Sequence, residues 1–142
     1  MFTKILVALD HSSADASLLP PVKELARLMH SQILLLHVST GWAARWQRNL
    51  DLSDSQEMQE DRAYLDQLQG QLAAEGYTVA TQQWFGEPSE EILRAALQQH
   101  CDLIAMTTHG HRWLSDLIYG NTIDKVRHET AIPIFVVRAA RE

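Results

Sequence analysis

Four short runs in this chain are apolar almost without interruption: Lys4 to Leu9 (KILVAL), Ile33 to Val38 (ILLLHV), Leu103 to Met106 (LIAM) and Ile132 to Val137 (IPIFVV). A strand with one wet face alternates apolar and polar residues, whereas a run without alternation suits a strand covered on both faces, as in parallel sheets packed between helices. A fifth run, Tyr77 to Trp84 (YTVATQQW), is more polar, with Val79 standing out, and reads as an edge strand.

Between these runs lies helical spacing. Leu18, Val22, Leu25, Ala26 and Met29 fall on one face of a first helix, and Tyr64, Leu65, Leu68 and Leu72 on one face of a second. A third opens with Pro88 and Ser89, carries Glu90 and Glu91 where the helix dipole favours acids, and continues an apolar stripe through Ile92, Leu93, Ala96 and Leu97. A fourth runs from about Asn121 to Glu129. Pro20 and Pro21 stand where the first helix should already be under way, so it either starts late, near Leu19, or is kinked. The β-α-β-α-β-α-β-α-β series predicts an α/β fold, one Rossmann-like domain over residues 1–142: an open parallel sheet with helices on both faces and right-handed crossovers.

Open parallel sheets bind ligands where the strand order reverses, because loops leaving two neighbouring strands diverge there and open a crevice. If the first and fourth strands flank that point, Asp10 to Ser13 and Thr107 to Gly110 line one cleft. The stretch TTHGHRWLSDLIYGNT, Thr107 to Thr122, places Gly110 and Gly120 ten residues apart after an apolar run. Glycine lets backbone come close to a ligand, and Asn121 and Thr122 can cap the following helix. The free N–H groups and dipole of such a helix start attract anions, a phosphate among them. A plain loop and cap without ligand is the competing reading of the glycine pair alone.

Composition narrows the choice. At 142 residues, 46% hydrophobic and 21% charged, the chain can bury a full core. Its formal charge of -6 argues against nucleic-acid or anionic-membrane binding, which usually needs a basic face, so any phosphate site must be local. Cys101 is the sole cysteine, so no internal disulfide forms. The N-terminus runs straight into a strand pattern rather than a signal peptide, and no apolar run reaches the length of a bilayer span. A cytoplasmic protein without direct membrane insertion is expected.

Four segments carry a family resemblance: KILVALDHSS, LLLHVS, GEPSEEILRAALQQHCDLIAMTTHG and YGNTIDKVRHETAIPIFVVR. In order and spacing the chain resembles the universal stress proteins of the UspA-like family from end to end, closer to the ATP-binding branch. The resemblance implies five parallel strands in the order 3-2-1-4-5, which supplies the switch point between strands one and four. The ATP-binding branch carries G-x-x-G, nine residues, then G followed by Ser or Thr. Here Gly110 and Gly120 match, while Thr107 stands at the first glycine and Asn121 at the hydroxyl position, with Thr122 one place later.

By resemblance Asp10 and the backbone of Val38 hold adenine, Ala8, Met106 and Thr107 border the ribose, and Gly110, His111, Arg112, Gly120, Asn121 and Thr122 surround the phosphates. A carboxylate and strand-end backbone can read the amino and ring nitrogens of adenine, and glycine amides suit a polyphosphate. The implied ligand is ATP, with AMP or ADP as alternatives and Mg or Mn held through the phosphates. The two departures together cost about 3 to 4 kcal/mol if uncompensated, a few hundredfold in affinity. The function expected is an adenine-nucleotide-binding stress-response regulator or sensor. The alternative is a nucleotide-independent universal stress protein acting through protein contacts.

Other chemistry has thinner support. His100, His109, His111 and His128 with Cys101 invite a metal reading, but no paired Cys or H-E-x-x-H spacing accompanies them. Asp10, Ser12 and Ser13 lack a G-x-S-x-G elbow or a clear triad order, and neither Walker A nor G-x-G-x-x-G is present. At most slow ATP hydrolysis is expected, with no committed general base. Thr40 to Asp61 departs from the plainest form of the fold. Trp42 and Trp46, one helical turn apart beside Arg45 and Arg48, read either as a flap or partner patch or as core. The Ile132 to Val137 edge strand is the expected homodimer contact, since pairing with a second copy covers an apolar edge; the resemblance points the same way. An unidentified protein partner is the remaining expectation.

Overall fold

The computed structural model describes residues 1–40, 51–108 and 122–140. Strand β1 (Lys4–Leu9) leads to helix α1 (Asp15–Met29), strand β2 (Gln32–Thr40), helix α2 (Asp51–Ala74), strand β3 (Val79–Gly86), helix α3 (Pro88–Gln98) and strand β4 (Leu103–Thr108). Helical residues 122–129, here α4, precede β5 (Ile134–Arg138). The five strands form one sheet in the order β3-β2-β1-β4-β5, with every neighbouring pair parallel. The expected strand order and the polar edge strand are therefore found.

Successive side chains of a strand point to opposite faces, and the core divides accordingly. Ile5, Val7, Leu9, Ile33, Leu35, Leu103 and Ala105 pack with Leu18, Val22 and Ala26 of α1 and Leu65 and Leu72 of α2. Their neighbours Leu6, Leu34, Leu36, Val38, Ile104 and Met106 pack on the other face with Ile92, Ala95 and Ala96 of α3 and Val126 of α4. Continuous apolarity in β1, β2 and β4 is thus the mark of strands buried on two sides.

The amino-terminal edge of the sheet is tied by Asp102, whose carboxylate accepts from Thr3 N at 2.8 Å, Lys4 N at 3.0 Å and the Thr3 hydroxyl at 3.1 Å. Although burial opposes ionisation, the N–H donors of Thr3 and Lys4 outweigh it and hold this carboxyl below its usual range. At the other end of the sheet, Gly86 closes β3 with a φ of +147, and Glu87 caps α3 by accepting from Glu90 N at 3.0 Å. Glu91, buried in the first turn of α3, lies against Gly86 and takes Arg94 Nη1 at 2.9 Å on each carboxylate oxygen.

Three boundaries differ from the sequence reading. Helix α1 starts at Asp15, ahead of its prolines, because turns from Ser12 O to Asp15 N and from Ser13 O to Ala16 N wind the chain before Pro20 is reached. Pro20 and Pro21 remove two N–H donors from its interior, while Leu18 and Val22 on either side of them are fully buried. Pro133 lies before β5 instead of within it and contributes its carbonyl to Ile104 N, so the edge strand begins at Ile134. Residues 51–61 belong to α2 as a continuous helix; Trp42 and Trp46 lie outside the described residues.

Candidate functional site

The central strands part at their carboxyl ends. Strand β1 pairs with β2 as far as Leu9↔His37, but with β4 only from Ile5↔Leu103 to Val7↔Ala105. Strand β4 continues beside β5 to Thr108↔Arg138. Ala8 and Leu9 on one side, and Met106 to Thr108 on the other, therefore extend past the last β1–β4 pair, which is how a crevice opens at a switch point.

The predicted site residues fall around this divergence. Ala8 and Asp10 are half-buried at and just after the end of β1, Met106 and Thr107 are buried in β4, and Val38 is buried one residue beyond the last β1–β2 pair. Thr122 is buried at the start of α4. Gly110, His111, Arg112, Gly120 and Asn121 lie outside the described residues, as do His109 and Trp113.

The loop leaving β1 is held by its own side chains. Asp10 Oδ1 accepts from the Ser12 hydroxyl, whose oxygen in turn accepts from Ala14 N at 3.2 Å. Asp15 Oδ1 accepts from Asp10 N at 3.1 Å, and its Oδ2 accepts from His11 N at 3.0 Å and from the Tyr64 hydroxyl at 2.5 Å. His11 adopts a left-handed φ of 58, uncommon for a residue with a side chain, and the Asp15 bond secures it there.

From this loop a polar chain runs inward. His11 Nδ1 lies 2.6 Å from Asp61 Oδ1, and its ring stacks on Tyr64 with centroids 4.1 Å apart. Asp61 Oδ2 lies 3.3 Å from His37 Nε2, and His37 Nδ1 is 3.1 Å from the Leu9 carbonyl. Burial pushes the Asp15 carboxyl up to about 7, with the Tyr64 bond opposing that shift and the Asp10 charge adding to it. Burial and the bond to Asp15 likewise raise the Tyr64 hydroxyl, which stays a donor.

Asp15, His37, Asp61 and Tyr64 were not singled out as site residues from the sequence. A signal existed, since Asp61 and Tyr64 are three residues apart and share a helix face, but Tyr64 reads as part of the apolar stripe and Asp61 as solvated charge.

Among the described residues no cluster of three or more His, Cys, Asp or Glu has the arrangement to hold a metal. Burial pushes the Cys101 thiol up to about 11, which keeps it protonated at neutral pH. Nor is any described helix long and apolar enough to cross a membrane.

An open parallel α/β sheet in this strand order, with its central strands separating at a switch point, defines the Rossmann-like doubly wound class. Within that class the chain belongs to the universal stress protein family, whose model matches residues 1–138. It is 27% identical over 148 residues to the universal stress protein YxiE of Bacillus subtilis (strain 168), covering 97% of this chain and 100% of that one. The solved structure of hypothetical protein MJ0577 superposes with a TM-score of 0.83 at 24% identity, covering 100% of this chain and 99% of that one. A universal stress protein from Archaeoglobus fulgidus, solved in complex with dAMP, superposes with a TM-score of 0.70 at 16% identity, over 96% of this chain and 98% of that one.

Proposed function

We propose that the protein is an adenine-nucleotide-binding regulator or sensor of a cytoplasmic stress response, with ATP as its ligand, AMP and ADP as alternatives, and Mg or Mn carried in on the phosphates. The observation that supports this most is the early end of the β1–β4 pairing at Val7↔Ala105, with Ala8, Asp10 and Met106 at its margins. The dAMP complex of a protein with the same fold supports an adenylate in particular. The phosphate end is assigned to Gly110 and Gly120, which match the family motif, and to His111, Arg112, Asn121 and Thr122 beside them.

Titration of the purified protein with ATP in an isothermal calorimeter tests the reading. Saturable heat is expected with a dissociation constant of roughly 0.1 to 1 mM, given the two motif departures, and Asp10→Ala is expected to weaken it about tenfold or more. No heat at millimolar ATP, with no nucleotide released on denaturing the protein, would end the proposal. It would favour the second reading, an interaction protein without nucleotide. That reading draws on Thr107, a buried β-branched residue where the ATP-binding branch has glycine.

A homodimer through β5 completes the proposal. The strand pairs on one side with β4 and presents its other edge at the rim of the sheet, where Val136 is 42% exposed. Light scattering during size exclusion at tens of micromolar should give twice the 16.1 kDa chain mass, and Val136→Lys should halve it. A wild-type mass of one chain under those conditions would remove this contact from the proposal.

A further inference from the structure

Strand β3 forms the rim of the sheet opposite β5 and is paired on one side only, with β2. Natural rims are blunted by charge, proline, a bulge or a cover, yet Val79 to Phe85 (VATQQWF) holds neither a charge nor a proline. The bond from Ile33 N to Thr78 O, at 2.9 Å, shows which way this backbone faces. In a parallel ladder alternate residues turn both N–H and C=O to the same neighbour. Ala80, Gln82 and Trp84 therefore follow Thr78 toward β2, and Val79, Thr81, Gln83 and Phe85 face outward. The Val79 carbonyl takes Gln69 Nε2 at 2.9 Å, while the outward backbone of Thr81, Gln83 and Phe85 meets no partner among the described residues.

Beside this edge runs a groove of about 500 Å³ between α2 and β3, lined by Met58, Gln59, Arg62, Ala63, Asp66 and Gln83. Arg62 and Asp66 are exposed and one helical turn apart, and neither has an ion pair or hydrogen bond among the described residues.

Two bonds set the helix in register with the strand: Gln83 Nε2 to Met58 O at 3.4 Å, and Gln69 Nε2 to Val79 O. Midway between Val79 and Gln83 stands Thr81. Midway between Met58 and Gln69 the helix passes Ala63 and Tyr64, with Arg62 and Asp66 on either side. If the edge pairs antiparallel with its own copy about a two-fold axis at Thr81, α2 runs antiparallel to its counterpart across the groove. Arg62 of each chain then stands opposite Asp66 of the other, and Val79 of each opposite Gln83 of the other. The Val79 carbonyl keeps a second lone pair for that pairing.

We infer that the free edge of β3 and its groove are a self-association surface whose occupant is a second copy of this chain, paired strand to strand about Thr81 and by reciprocal Arg62 and Asp66 contacts. The formal charge of -6 opposes such a contact, so it is weak and is populated at high concentration. Because β5 lies at the opposite rim, one chain can hold both contacts, and β5 dimers can join edge to edge.

Sedimentation equilibrium of the full chain carrying Val136→Lys isolates this edge. The mass should rise from one chain at tens of micromolar toward two at about 0.5 mM, with a dissociation constant of roughly 0.1 to 0.5 mM. Arg62→Asp sets acid against acid in both copies and should weaken association about tenfold. Exchanging the charges in one chain, Arg62→Asp with Asp66→Arg, should restore it to within about threefold. Both positions are on an exposed helix face, so folding is not at stake.

A single-chain mass at about 0.5 mM overturns the inference. So does association that Arg62→Asp leaves unchanged, or that the double exchange fails to restore. The β5 contact is judged separately: were wild type already one chain at tens of micromolar, it would take the place of Val136→Lys in the same series.

Discussion

Replacing Gly86 with valine is expected to lower the unfolding free energy by about 3 to 5 kcal/mol, and replacing it with alanine by about 2 to 3 kcal/mol. Two effects add. Gly86 has a φ of +147, a conformation that side-chain-bearing residues rarely adopt, and a β-carbon built there would lie 2.8 Å from Glu91 Oε1 and 2.9 Å from its Cγ. Glu91 is 8% exposed at its side chain and held by Arg94, so swinging it aside breaks that pair as well. The two contributions separate in a cycle. Adding Glu91→Ala to Gly86→Ala removes the collision and leaves the backbone strain, so the second change should cost less in the alanine background than in wild type. Urea unfolding of the four proteins measures this. A Gly86→Val protein with a wild-type midpoint would show that the end of β3 relaxes at no cost.

A second large effect concerns pH. Asp15 has its carboxyl raised from 3.8 to about 7 in the folded protein, mainly by burial. Between those values the native state holds a proton that the unfolded chain has released, so unfolding free energy decreases as pH rises. The contribution is fully present below about pH 4, is lost through about pH 7 and then levels off. Its whole span is on the order of 4 kcal/mol.

Asp15→Asn removes the titration. The variant forgoes one acceptor among those serving Asp10 N, His11 N and the Tyr64 hydroxyl, a cost of roughly 1 kcal/mol at every pH. It should therefore be less stable than wild type at about pH 3.5, equal to it near pH 4.5 and more stable at about pH 8. Chemical denaturation at these values tests the crossover, and a wild-type-minus-variant difference that stays constant with pH would refute the role assigned to burial.

The sequence displayed some parts of this molecule openly. Strands β1, β2 and β4 were visible because burial on two faces leaves no room for alternation, and the polar composition of β3 marked it as an edge. Strand order is not a local property. The same five runs permit several sheets, and it was the match of four segments to a family that selected 3-2-1-4-5. Boundaries moved where specific hydrogen bonds outweigh the apolar pattern. Pro133 looks like part of an apolar run, yet pairing begins after it, and Asp15 starts α1 early because it has Asp10 N and His11 N to receive.

The candidate site divides the same way. Asp10 was placed beside the cleft by its position after the first strand, whereas Ala8 and Met106 came from the family resemblance. The chain from His11 through Asp61 to His37 was found by neither route, since its members lie 50 and 24 residues apart in sequence and only folding of α2 onto β1 and β2 brings them together.

Cys101 bears on how a protein of this family could respond to oxidants. Its thiol is 6% exposed and raised by burial to about 11, leaving on the order of one molecule in ten thousand as thiolate at neutral pH. Peroxide attacks the thiolate, so the single sulfhydryl of the chain is a slow target. Oxidation of the folded chain at neutral pH would therefore not be expected to begin at this cysteine.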